Sequence, residues 1–280
     1  MSVPSPVGPS RAGIPPTGKK DGPGRGRRGP GAPHRGGTWQ SLAEFDFDLN
    51  WHPHGWASPG RRRLVARVIH LAPGRFDPDS VVGDPAGWLG LLVIEGLALV
   101  QVDAGRAPVG WLVGADDILR PWELHDVSLL ASASWQVLAP VQLALLDPDF
   151  ARRVAGVGSI PAALIAKGAQ TSHWLFAKSL VTGTSVIEER LLLLFALLGE
   201  RWGKAASAGV VVSMPLTHQV LATLIGARRP SVSTALRALS NSGLLRRTPE
   251  GWLLCRAPHA SHPRPRCWPQ YAEALGLAVR

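Results

Sequence analysis

Two arginines, Arg228 and Arg229, stand directly before Pro230 and an apolar stripe in GARRPSVSTALRAL (226–239). A helix dipole disfavours cations at its N-terminus, so this arrangement calls for an anionic partner. The free N–H groups of a helix start, with guanidinium groups beside them, make a phosphate site. Arginine in that position can also fork onto the O6 and N7 of guanine. Ser231, Ser233 and Thr234 are small hydroxyl residues that let such a helix sit deep in a groove, and Arg237 continues the polar face. These residue types at this spacing point to duplex DNA.

The elements around them must form a helix-turn-helix. LTHQVLATLIG (216–226) has Thr217 as N-cap, His218 in the first turn, Val220, Leu221 and Leu224 on one face, and Gly226 as the stop. Pro230 suits the first turn of a second helix, on which Val232, Leu236 and Leu239 recur at i, i+4 and i+7. Gly243 ends it, with Leu244 folding back on Leu239. LLRRTPEGWLL (244–254) then reads as a β-hairpin wing around Pro-Glu-Gly, with Arg246 and Arg247 on it. The predicted DNA contacts are Thr217, His218, Arg228, Arg229, Ser231, Ser233, Thr234, Arg237, Arg246 and Arg247.

Net charge agrees. The chain carries +10, with seven Lys/Arg against one Asp in residues 1–36 and six Arg against one Glu in 214–256. Basic ends on a near-neutral body suit a polyanion partner. Two cysteines, Cys255 and Cys267, make no disulfide framework, zinc site or cluster. No apolar run is long enough to span a membrane, and no secretory signal is seen. A cytoplasmic protein is expected.

Five segments follow. Residues 1–40 form a disordered basic Pro/Gly-rich tail, structure being expected from about Leu42. Residues 41–158 form an antiparallel β-domain: LVARVIHL (64–71), WLGLLVIEG (88–96), LALVQVD (97–103), VGWLVG (109–114), WQVLAP (135–140) and VQLALLD (141–147) read as six short strands. Trp88, Trp111, Trp122 and Trp135 are expected inside it, and Asp147 with Pro148 opens a short helix behind it. Residues 159–184 form a long helix and hinge, with Leu164, Gly168, Thr171 and Leu175 as a seam for a second copy. Residues 185–256 hold a buried helix and the winged helix-turn-helix, and 257–280 form a C-terminal tail.

At this point the chain resembles the Crp/Fnr superfamily of bacterial transcription regulators. The resemblance rests on VIEERLLLLFALLGERWG (186–203) and LTHQVLATLIGARRPSVSTALRALSNSGLL (216–245), and on the order of elements over about residues 60–254. It implies an α+β fold: an N-terminal jelly-roll-like β-roll, a long dimerisation helix and a C-terminal winged helix-turn-helix. It implies a homodimeric, sequence-specific regulator, with RNA polymerase as a candidate further partner. Arg229 then aligns with the family's guanine-contacting arginine and Thr217 with its phosphate-contacting helix start; Gln170 and Leu175 lie on its dimer helix. Pro230 and Thr234 replace residues with which many members read bases, so the family's reference operator is not carried over.

The β-roll departs further. Cyclic-nucleotide-binding members resemble one another in a Gly-Glu pair followed, about ten residues on, by an arginine that holds the phosphate. Here the stretch is GADDILRPWELHDVSLLASASW (114–135), with Asp116 or Asp117 for the glutamate and no arginine between Arg120 and Arg152. A buried phosphate without a cation is costly, so cyclic AMP is not expected. No cofactor, metal or effector is assigned: His70 and His125 are isolated, and WHPHGW (51–56) lacks further ligands. The alternatives are a β-roll working through protein contacts, a cyclic-nucleotide regulator with a non-standard phosphate site, and a cupin-like enzyme. The last needs His and carboxylate clusters where these strands carry Val, Leu and Ala, so no catalysis is expected.

Overall fold

The computed structural model describes residues 38–41, residues 65–256 apart from 104, 106, 129, 131, 157 and 158, and residues 265–267, 269, 271 and 272. The basic tail before Thr38 and the WHPHGW histidines lie outside the described residues.

The N-terminal elements are β1 (Thr38–Ser41), β2 (Val65–Leu71), β3 (Gly74–Phe76), α1 (Asp79–Val82), β4 (Gly90–Asp103), β5 (Pro108–Gly114), β6 (Ile118–Leu119), α2 (Pro121–His125) and β7 (Ser134–Leu146). They form one antiparallel sheet of order β1-β2-β7-β4-β5, with β3 also on β7 and β6 on β4. Thr38–Ser41, just ahead of the expected start at Leu42, pairs with Val65–Val68. Two expected pairs of strands are single long ones: 88–96 and 97–103 run on as β4, and 135–140 and 141–147 as β7. The reason is at Gly96. It sits at φ +99°, and a Cβ there would lie 2.0 Å from Pro140 O. The backbone bends through register shifts between Val93 and Ala98 and goes on pairing from Gly90–Leu146 to Gln101–Ser134. A residue that marks a turn in sequence here marks a bulge.

Side-chain alternation divides the sheet between two cores. Ile69, Leu91, Val93, Val100, Val113, Val137, Val141 and Leu143 fill the roll together with buried Trp88 and Trp135. Trp111 and Trp122, expected inside, are half-buried at its margin, with Trp122 edge-on to Trp88 at 6.5 Å. The cavity left among Leu71, Phe76, Val93, Trp135 and Leu143 measures about 10 Å³, at most a single water. Ala66, Val68, Leu92, Ala144 and Leu146 face the other way and are covered by Phe150 and Val154 of α3 (Pro148–Val154) and by Ile160 of α4 (Ser159–Gly183). Asp147 caps α3 as expected, its Oδ1 accepting from Phe150 N at 2.8 Å.

The chain continues through α5 (Ile187–Trp202), β8 (Lys204–Ala206), β9 (Gly209–Val212), α6 (His218–Ile225), α7 (Arg229–Asn241), β10 (Leu245–Thr248) and β11 (Gly251–Cys255). Leu191, Leu192, Leu194, Phe195 and Leu198 of α5 are wholly buried, as its apolar girth predicts. Strands β8 and β9 were not expected; they extend the wing hairpin into a sheet of order β10-β11-β9-β8. One apolar cluster runs from Leu97, Leu99 and Leu112 of the roll through α5, α6 and α7 to Trp252. The C-terminal segment, expected as a tail, docks on this cluster through buried Cys267 and Tyr271. The Tyr271 hydroxyl lies 2.8 Å from Cys255 O and 3.1 Å from Leu244 O and shares its proton between them. Among the described residues no helix is long and apolar enough to cross a membrane.

Candidate nucleic-acid interface

Local chemistry sets the two helices. Thr217 Oγ1 accepts from Val220 N at 3.2 Å and so caps α6, which leaves its own proton free for an outside acceptor. Gly226 takes the left-handed conformation at φ +63°, which lets Ala227 N reach Ala222 O at 2.9 Å and close the helix. Three residues on, α7 begins with Arg229, with Pro230 in its first turn. Leu244 N donates to Leu239 O and Gly243 N to Ser240 O, both at 3.1 Å, the expected fold-back at its far end.

Val232, Ala235, Leu236 and Leu239 of α7 are buried. Arg228, Arg229, Thr234 and Arg237 are exposed on the opposite side, and Ser231 is half-buried. Arg246 and Arg247 are exposed on the wing. Among the described residues these five arginines meet no carboxylate, so their charge is available to a ligand; Arg247 rests 5.0 Å above the Trp252 ring that pairs with it across the hairpin. His218 and Ser233, both expected to contact DNA, are bonded to each other. Nδ1 of His218 lies 2.9 Å from Ser233 Oγ, which is also 3.1 Å from Arg229 O. The pair joins the start of α6 to the first turn of α7, so Ser233 is half-buried and orients the recognition surface. Thr234 Oγ1 donates to Pro230 O and keeps its lone pairs outward.

Leu164, Thr171 and Leu175, expected to face a second copy, are engaged within their own chain. Thr171 Oγ1 donates to Asp117 Oδ1 at 3.0 Å, Leu164 packs on the cluster beneath α3, and Leu175 lines a cavity with Val109, Trp111 and Ile225. The row Leu164, Gly168, Thr171 and Leu175 therefore faces its own β-roll and α6. The apolar side chains that α4 leaves in solvent are Ile165, Phe176 and Leu180, exposed by 73%, 69% and 61%. With Ala169 and Ser172, also exposed, they make a second row at the same heptad-like spacing.

The roll and the DNA-binding unit are tied at Asp117, which is 2% exposed. Its carboxylate accepts from Arg201 Nη2 at 2.7 Å, from Thr171 Oγ1 and from Gly114 N at 2.9 Å. Arg201 is in turn stacked on Trp202 and Trp174, 4.3 and 5.3 Å from their ring centres. Lys167 Nζ donates to the neighbouring Asp116 at 2.5 Å. Asp116 and Asp117, one of which stands where the cyclic-nucleotide cassette has its glutamate, instead join the roll to α4 and α5. Arg120, the nearest arginine for a phosphate, is paired with Glu123 at 2.7 Å beside Trp122.

Residues 189–258 match the Crp-like helix-turn-helix domain. No curated protein sequence matches the chain. Among solved structures, a cyclic nucleotide-binding domain containing protein from Listeria monocytogenes EGD-e is 15% identical, covers 76% of this chain and 95% of its own, and has a TM-score of 0.57. FixK2 from Bradyrhizobium japonicum is 15% identical over 77% of this chain and 100% of its own, with a TM-score of 0.53. A CooA mutant from Carboxydothermus hydrogenoformans is 15% identical over 68% of this chain and 83% of its own, with a TM-score of 0.52. At this identity the three share the fold.

Proposed function

We propose that this chain, a DNA-binding transcription regulator of Crp/Fnr type, reads a specific two-fold operator as a homodimer in the cytoplasm. The observation that carries the DNA reading is the row of exposed arginines, free of carboxylates, at the start of α7 and on the wing. Arg228 and Arg229 meet phosphate and guanine there, which offsets the unfavourable helix dipole. Thr217 donates its free proton to phosphate and Arg237 extends the contact. Exposed Ile165, Phe176 and Leu180 supply the surface on which a second copy packs, and two copies place two α7 helices on half-sites about one or two helical turns apart. Regulation follows from helping or excluding RNA polymerase at the bound promoter.

Cyclic AMP is not its effector on this reading. The roll interior is filled, Arg120 is engaged with Glu123, and Asp117 serves the joint with α4 and α5. A thermal-shift titration with cyclic AMP is expected to leave the melting temperature unchanged. For DNA, selection from random duplexes yields a consensus, and Arg229→Ala is expected to lower the preference for it by about 5- to 150-fold. An equal loss on consensus and random duplex removes the base-reading role.

A further inference from the structure

Among the described residues, a largely buried lysine without an ion pair lies between the roll and the helix-turn-helix. A cavity of about 390 Å³ is walled by Val109 and Trp111 of β5, Leu175 of α4 and Ile225 at the end of α6, a volume proper to a small-molecule site. Its charged lining residues are Lys178 and Arg190. Lys178 is 9% exposed, and among the described residues its ammonium has no hydrogen bond or ion pair. Burial brings its pKa down to about 8, so at pH 7 it is charged and unmatched. Arg190 is held by neutral oxygens, donating through Nε to Thr184 O and through Nη1 to Ile225 O at 3.2 Å.

Among the described residues Lys178 Nζ donates to none of the carbonyls near the end of α6. Ala222 O and Thr223 O accept from Ala227 N and Gly226 N, and Ile225 O accepts from Arg190. The Ser179 and Thr182 hydroxyls on the rim give their protons to backbone carbonyls. Two cations thus line one cavity whose walls, among the described residues, carry no carboxylate. An ammonium on a largely buried side chain is poorly solvated, and an anion bound beside it supplies charge-assisted hydrogen bonds.

We propose that this cavity binds a small polyanionic metabolite, phosphorylated or polycarboxylic, whose anionic group is held by Lys178 and Arg190. Trp111 and Leu175 cover the rest of the molecule. The site joins β5 and α4 to the end of α6, four residues before Arg229. A ligand there fixes the roll against the recognition helix and is the effector of the regulator. That last role rests on the DNA-binding reading; the anion site does not.

The test uses the full chain at pH 7, titrated with inorganic phosphate, 3-phosphoglycerate and citrate against sodium chloride of equal ionic strength. Saturable protection is expected, with the melting temperature rising by about 3–5 °C at roughly tenfold excess over Kd. The phosphate arms against the citrate arm give the ligand class. Lys178→Met is expected to melt higher than the wild type without ligand and to lose the protection, and Lys178→Arg to keep part of it. Absence of saturable protection with all three anions, or equal protection of Lys178→Met, overturns the proposal. A duplex selection run in parallel separates the two readings: protection without any selected duplex leaves the site standing and removes the DNA reading, and the reverse removes the site alone.

Discussion

Replacing Asp117 with alanine removes the one buried carboxylate that β-roll, α4 and α5 share. Its three donors are Arg201 Nη2 at 2.7 Å, Gly114 N at 2.9 Å and Thr171 Oγ1 at 3.0 Å. Removing one partner of a buried ion pair costs about 3–5 kcal/mol, and an orphaned backbone N–H about 1–3 kcal/mol. Two features lower the total. Arg201 keeps 20% of its side chain in solvent and its stacking on Trp202 and Trp174, and Thr171 retains Lys167 O at 3.2 Å. A net loss of about 3 kcal/mol is expected, a fall of roughly 6–12 °C in melting temperature for a chain of this size. Asp117→Asn keeps an oxygen for Gly114 N but loses the charge, so about half that loss is expected. The assay is urea denaturation of the wild type, both Asp117 variants, Arg201→Met and the double variant. Arg201→Met and Asp117→Ala should couple by about 1 kcal/mol or more. A loss below about 1 kcal/mol for Asp117→Ala, or strictly additive single variants, refutes the assignment of Asp117 as the joint.

Other outcomes test the remaining elements. Phe176→Glu is expected to shift the chain from dimer to monomer in analytical ultracentrifugation; a dimer unchanged by it rules out the exposed α4 row. Leu175→Glu, by contrast, should lower stability, because half-buried Leu175 packs beside Val109, Trp111 and Ile225. Thr217→Ala is expected to cost about 1 kcal/mol through the lost cap while Thr217→Ser keeps it, read by thermal denaturation. Arg246→Ala should weaken binding to all duplexes alike and reduce the salt slope by about 1; loss confined to the consensus contradicts a phosphate role. Lys178 gives a pH signature. Its folded pKa of about 8 lies below the ordinary 10.5, so between those values the unfolded chain binds more protons and stability rises with pH. Relative to Lys178→Met, the wild type should gain roughly 2–3 kcal/mol from pH 8 to 10.5. The difference against the variant is needed because Cys267, its thiol pushed up to about 11 by burial, works in the opposite direction. A flat difference shows that Lys178 is solvated.

The sequence by itself determined the two helices, their turn and the exposed arginines, because its signals are local. A hydroxyl at Thr217, a glycine at 226, a proline at 230 and apolar residues three and four apart fix two helices and their turn, and these signals act within a few residues. The caps, the stops and the exposed arginines lie where those signals put them. What the tertiary structure decided are the matters of facing and partnership. Helix α4 carries two rows at the same spacing, and periodicity alone cannot say which one looks inward. The choice rests on Asp117, 54 residues before Thr171 in the chain, together with the packing of Leu164 and Leu175 against other elements. Gly96 looks like a turn in sequence and becomes a bulge because a long partner strand already runs beside it. Lys178 is one basic residue among many until β5 and the end of α6 close around it. Local hydrogen bonds draw helices into being, but only burial by distant parts of the chain decides which charge is left without a partner.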